Sequence, residues 1–298
     1  MSTRLWQAHR KAVKMLHPFT YHRPDTLDEA LEFLSANGTV SAAMAGGTDL
    51  IVNIRAGVAT PEHVVDLKGI DELHRIRFDK SEGLSIGSCV TVNELIEHAD
   101  VAANYEILVR AGTELATHQL RNRATVVGNV VTASPCGDMT SPLLCLGAEI
   151  DLRSARGARS MPVVEFITGV KKTQIAPDEI VERIRVPATH TKAAGGYRKL
   201  KRIKGHDLGV VAVAMIRSND TLRTAISSAA PTPVLLEEFP ASAATDMVQA
   251  AALKAINPID DVRCTREYRE FMVGVFIRRL IEELTSGPAA RPAKGAPV

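Results

Sequence analysis

Apolar residues recur at helical spacing from Asp25 to Leu34 (DTLDEALEFL), and Thr26 or Asp25 can cap that helix, with acids following. A run of small apolar residues, VSAAM, predicts a strand, followed by the pair Gly46–Gly47 and an apolar segment that can open a helix. HVVDLKGI predicts another strand, closed by a glycine turn. From Gly83 the alternation restarts: LSIGSCV predicts a strand, TVNELIEHADV a helix capped by Thr91, and YEILVRAGTELA a second helical stretch. The segment RNRATVVGNVVTASPCGD interrupts this with glycine, serine and proline and reads as loop. SPLLCLGAEIDLRS then predicts a helix and a strand, and VVEFITGV and EIVERIRVP close the unit.

Pro187 and the loop ATHTKAAGG form the clearest boundary. Beyond it YRKLKRIK, GVVAVAMIRS and LRTAISSAA predict successive strands of an antiparallel sheet, and two helices follow within SAATDMVQAAALKAI and EYREFMVGVFIRRLIEEL. The expected class is α+β. The expected division is an N-terminal extension (1–14), a two-part α/β region (15–190, with halves about 15–75 and 76–190), a sheet-plus-helices region (191–286) and a flexible Pro/Ala/Gly-rich tail (287–298).

Composition narrows the function classes. The 298 residues are 45% hydrophobic and 23% charged, values of a soluble protein with a real core, not of a disordered chain. Lys+Arg 36 against Asp+Glu 34 gives a net charge of +2, which offers no basic face for nucleic acid. The longest nearly apolar run, Leu208 to Ile216, is far below the roughly 20 residues of a membrane span. The basic N-terminus lacks the apolar stretch of a secretory signal and reads as a disordered arm or a docking tail. Cys89, Cys136, Cys145 and Cys264 form no CxxC pair, which argues against a disulfide scaffold or an iron–sulfur cluster and for a cytoplasmic setting.

The candidate chemistry lies in two glycine-containing segments. Ala45-Gly46-Gly47-Thr48-Asp49-Leu50 follows a strand; its glycines allow close approach of a ligand, and successive amides with the Thr48 hydroxyl can make an anion nest. Thr125-Val126-Val127-Gly128-Asn129 is followed by Ser134-Pro135 and Asp138. Together two such loops can grip a pyrophosphate, although each alone is compatible with an ordinary turn. Neither is a GxGxxG or GxxxxGK[ST] motif.

These residues carry a resemblance. Ala45 to Leu50 (AGGTDL), Arg121 to Asn129 (RNRATVVGN) and Ala133 to Asp138 (ASPCGD) resemble the flavin loops of the FAD-binding medium subunit of molybdenum hydroxylases, the xanthine dehydrogenase and carbon monoxide dehydrogenase family. HPFTYHRPDTLDEALEFL, EIVERIRVP and DDVRCTREYREFMVGVFIRRL fit as well, so the resemblance runs from about Leu16 to Leu284. It implies an FAD-binding domain of the PCMH type followed by a C-terminal sheet-and-helices domain. It also implies that Ala45 to Leu50 and Thr125 to Asn129 hold the FAD pyrophosphate and that Asp138 takes a ribose hydroxyl. Thr91 would add a hydroxyl near the phosphates, Val181 would pack near the isoalloxazine, and Lys199 would lie beside the ring, where a cation favours the reduced cofactor. Read from the residues alone, Asp138 is equally an N-cap of the following helix, Val181 an ordinary strand residue, and Lys199 one cation of a solvated strand.

Val127 replaces the first glycine of the family pair; the expectation is a negative φ at Val127 and the unusual conformation at Gly128. Cys136 is a candidate reactive thiol or a buried inert one. His206 is the nearest candidate for covalent flavin attachment and reads better as a loop residue beside Asp207. No catalytic residue and no metal ligand is assigned to this chain. The implied function is electron transfer within a three-subunit enzyme. A molybdopterin-binding large subunit oxidises substrate, a small subunit carries two [2Fe–2S] clusters, and FAD on this chain passes electrons to an external acceptor. The implied assembly is a dimer of heterotrimers in the cytoplasm, with the inner face of the membrane as a further setting. The Thr48-Asp49 ending of the first loop argues against the carbon monoxide branch, where His-Ser is more usual. A stand-alone flavin oxidase or dehydrogenase of the same superfamily, and a scaffold without enzymatic activity, are the alternatives.

Overall fold

The computed structural model describes residues 17–203, 205 and 207–285. The predicted N-terminal arm, the C-terminal tail and His206 lie outside the described residues. Among the described residues the chain builds three larger sheets in sequence order and a two-stranded ribbon, Ile167–Gly169 with Lys172–Thr173, and the architecture mixes helices with both parallel and antiparallel strands.

The first sheet is parallel, in the spatial order Thr20–His22, His63–Asp66, Ser41–Met44. The helix Leu27–Asn37 covers it, burying Leu27, Ala30, Leu31 and Leu34 at the i, i+3, i+4, i+7 spacing of one helical face. Of the two candidate caps Thr26 is the one used: its hydroxyl accepts the Glu29 amide at 3.2 Å, while the Asp25 amide donates to Glu29 Oε2 at 3.0 Å.

The second sheet is antiparallel, ordered Ile76–Asp79, Gly83–Gly87, Ile180–Val186, Glu149–Ser154, Gly157–Pro162. The helices Val92–Glu97, Glu106–Glu114 and Thr140–Cys145 share its core. The segment predicted as loop after Arg121 contains a further helix, Val126–Val131. Two features make it helical: Thr125 caps it by accepting the Gly128 amide at 3.0 Å, and Val126, Val127 and Val130 are buried in the core.

The third sheet is antiparallel, with Ala194–Leu200, Val211–Ser218 and Thr221–Ser227 in order. Asn219 and Asp220 take φ of 46° and 62°, closing the tight hairpin between the last two. This sheet is buried on both faces. Ala212, Ala214 and Ile216 join the core of the second sheet, whereas Val211, Val213 and Met215 pack with the helices Thr245–Ala255 and Arg266–Thr285. The period-2 alternation sends neighbours to opposite cores, which is why the strand reads as an unbroken apolar run. Glu114, on a second-sheet helix, thereby comes within reach of Lys199 on the third.

Candidate functional site

The first loop leaves the strand Ser41–Met44 and runs into the helix Leu50–Ala56. Gly47 has a φ of 75°, a conformation that a side chain would strain. Gly46 is pressed on the second segment: a Cβ built there would lie 2.0 Å from the Arg123 carbonyl oxygen. The amides of Gly46, Gly47 and Thr48 donate to no acceptor among the described residues. Beside them opens a cleft of about 620 Å³, lined by all of Ala45 to Leu50 and by Thr125, Gly128 and Asn129. That volume lies within the roughly 300–1,000 Å³ of small-molecule sites, and undonated amides on residues that wall a cleft suit a phosphate-bearing ligand.

Asp138 and Lys199 also line the cleft. Neither is what its alternative reading suggested. The cap position of the helix Thr140–Cys145 is Met139, not Asp138. Lys199 is not solvated: its side chain is 2% exposed, and its Nζ donates to Asp138 Oδ2 at 2.8 Å and to the Glu114 carbonyl at 3.2 Å. The Tyr197 hydroxyl donates to Asp138 Oδ1 at 2.7 Å. Burial pushes the Asp138 carboxyl up from its usual range, against the opposing pull of Lys199. Burial and the facing carboxylate raise Tyr197 well above an ordinary phenol.

The structure does not bring every expected residue to the cleft. Val126 and Val127 point into the core instead, 0% and 3% exposed. Val127 and Gly128 both lie within the helix and neither has a positive φ, so the expectation of an unusual conformation at Gly128 is corrected. A helix admits a valine at 127 because only its negative φ is needed. Val181 is buried in the core on a strand of the second sheet, paired with Leu152 and apart from the cleft lining. Thr91 spends its hydroxyl in a capping box with Glu94 and forms a bridge to Thr125, one step behind the cleft.

Two further lining residues, Ala116 and Lys171, carried no sequence signal. Ala116 and Lys171 line the cleft and take positive φ of 44° and 58°; Ala133, at 47°, accepts the Lys171 amide at 2.9 Å. Strained non-glycine residues gathered at one cleft are a mark of a functional site. Nothing in an alanine reveals them. Lys171 Nζ stands 3.4 Å from Asp49 across the mouth. Cys136 lines the cleft with Arg263 Nη1 at 3.5 Å from its sulfur. All four cysteines are free.

Comparison with known proteins identifies the family. Residues 17–189 match the family model of the FAD binding domain in molybdopterin dehydrogenase. The chain is 33% identical over 276 residues to the carbon monoxide dehydrogenase medium chain of Afipia carboxidovorans, covering 89% of this chain and 96% of that one. It is 28% identical over 286 residues to the putative xanthine dehydrogenase FAD-binding subunit of Escherichia coli K12, covering 91% and 98%. A chain in the crystal structure of the Cu,Mo-CO dehydrogenase in its cyanide-inactivated form is similar with a TM-score of 0.84 at 32% identity, covering 90% of this chain and 98% of that chain. The family match and these end-to-end similarities place the chain in one family: it belongs to the FAD-binding medium subunits of the molybdenum hydroxylases, oxidoreductase subunits with a PCMH-type FAD domain.

Proposed function

We propose that this chain holds FAD in the cleft and carries electrons within a three-subunit molybdenum hydroxylase. The observation that supports this most is the meeting of two sequence-distant segments, at Gly46 and Arg123, beside one cleft walled by Gly46, Gly47 and Thr48, whose amides are undonated. Ala45 to Leu50 hold the pyrophosphate from one side and Thr125, Gly128 and Asn129 hold it from the other. The Asp138 carboxylate, with lone pairs beyond those used by Tyr197 and Lys199, accepts a ribose hydroxyl. Lys199 presents a fixed ammonium at the ring end of the cleft. Val181 and Thr91 act behind this set: Val181 fills the core, and Thr91 anchors the segment that bears Thr125.

FAD supplies the redox chemistry when bound, linking the [2Fe–2S] clusters of a small partner subunit to an external acceptor. Substrate oxidation belongs to a molybdopterin-binding large subunit. Two heterotrimers pair in the assembly, in the cytoplasm; the four free thiols fit such a reducing setting. No helix among the described residues is long and apolar enough to cross a membrane.

Two measurements test the reading. The purified chain should show flavin absorption in the blue at one FAD per chain, and it should co-purify with co-expressed large and small subunits. A colourless native protein overturns the FAD assignment. Substrate turnover by the isolated chain overturns the electron-transfer role in favour of a stand-alone flavin oxidase.

A further inference from the structure

Just outside the cleft lining, the first loop is held by a polar chain that starts on the parallel sheet. The Asp66 carboxylate, on a residue only 4% exposed, ends the central strand and pairs across the sheet with Met44. Its Oδ2 accepts the Tyr21 hydroxyl at 2.5 Å, from the other neighbouring strand. Its Oδ1 accepts the Lys68 ammonium at 2.5 Å and the Lys68 amide at 3.1 Å. The same ammonium donates to the Ala45 carbonyl at 3.0 Å. Burial pushes the Asp66 carboxyl up, but the bonds from Lys68 and Tyr21 outweigh it and hold the group charged, below its usual range.

The consequence follows from the planar peptide unit. The described residues contain no cis peptide, so the Ala45 carbonyl and the Gly46 N–H belong to one trans unit and point to opposite sides. An ammonium that fixes the carbonyl also fixes the direction of the amide. A cation on the oxygen further polarises the unit and strengthens the N–H as a donor. A free surface lysine would do neither, since its rotamers would wander; here Asp66 and Tyr21 hold it. We propose that Lys68 is a positioning residue for FAD: its ammonium, set by Asp66 and Tyr21, clamps the Ala45 carbonyl so that the Gly46 amide is presented to the pyrophosphate. This rests on the FAD reading of the cleft.

The test is reconstitution of the flavin-free full-length chain with FAD. Lys68→Met should weaken FAD binding about tenfold or more, the order expected for one lost charge-assisted hydrogen bond. The 31P resonances of the bound pyrophosphate should move, while the visible flavin absorption envelope stays as in the wild type because Lys68 lies outside the cleft lining. Lys68→Arg, which keeps a cationic donor, should recover most of the loss. Tyr21→Phe, which removes one hydroxyl, should give a smaller loss in the same direction. If Lys68→Met fails to fold, Tyr21→Phe decides the matter by the same two readouts: unchanged affinity and unmoved 31P resonances in it overturn the positioning role. Affinity of Lys68→Met within twofold of wild type, or its 31P resonances unmoved, overturns the positioning role while leaving FAD binding intact. A wild-type chain that takes up no FAD overturns the functional reading itself, and the role of Lys68 with it.

Discussion

Gly46 lies so close to Arg123 that a Cβ on the glycine would come within 2.0 Å of the Arg123 carbonyl oxygen. The glycine is thus required by the partner segment, in addition to any need of the ligand. Gly46→Ala should force the two segments apart, lowering stability by about 1–3 kcal/mol as overpacking does and releasing FAD. Gly47→Ala meets a different obstacle, its φ of 75°, and should cost about 1 kcal/mol with partial FAD retention. Flavin-to-protein ratios and urea midpoints of the two variants separate these effects. A Gly46→Ala protein with wild-type stability and full FAD contradicts the described contact.

Lys199 and Asp138 form a buried pair, with side chains 2% and 9% exposed. Lys199→Met leaves the carboxylate without its cation and should destabilise the protein by about 3–5 kcal/mol. Lys199→Met combined with Asp138→Asn should be less damaging than Lys199→Met alone, because no buried charge is then left unpaired. If the ammonium also faces the flavin, its loss should lower the two-electron midpoint by roughly 20–65 mV, the equivalent of about 1–3 kcal/mol. A spectroelectrochemical titration of the Met variant reads this directly, and an unchanged midpoint removes Lys199 from the surroundings of the ring.

Acid should loosen the parallel sheet first. His22 Nε2 lies 3.1 Å from His63 Nδ1, and the His22 ring packs on Phe33 with centroids 4.1 Å apart. Burial, and then the charge of His63, lower the His22 pKa below that of an ordinary imidazole. Because the folded state holds this base less readily than the unfolded chain does, its contribution is intact above about pH 6.5 and is lost as pH falls below it. Hydrogen exchange at Val64 and Val65 should accelerate between pH 7 and pH 5, relative to the intrinsic rate, and His22→Gln should flatten that slope. Equal slopes in both proteins dismiss the pair as a pH-sensitive element.

Arg269 is 2% exposed and holds the third sheet to the last helix. Its Nη1 donates to the carbonyls of Val210 at 2.5 Å and Ser228 at 2.9 Å, and its Nη2 to Asp261 at 2.8 Å. Arg269→Met strands two buried carbonyls and weakens the partnership of Asp261. It should lower stability by about 3–5 kcal/mol, read as a shifted urea midpoint. A shift below about 1 kcal/mol would mean that water replaces the guanidinium.

Local order in this protein was legible because periodicity, capping and turn chemistry act over a few residues. The helix Leu27–Asn37 with its Thr26 cap, the Thr91 capping box and the three strands after Ala194 all follow from neighbours in the chain. The AGGTDL and ASPCGD segments were distinctive enough to mark the family. The helix Val126–Val131 was hidden because its glycine and the polar residues around it resemble a loop, and only the burial of Val126, Val127 and Val130 makes it pay to be helical. Tertiary structure alone decided the rest. Lys199 looks like one cation of a solvated strand until the third sheet, buried on both faces, folds it onto Asp138. Ala116 and Ala133 take left-handed conformations that no property of alanine announces. Lys68 reaches Ala45 only because the parallel sheet sets Asp66 beside Met44. These are long-range relations, and a pattern read along the chain contains no distance between residues that meet only in space.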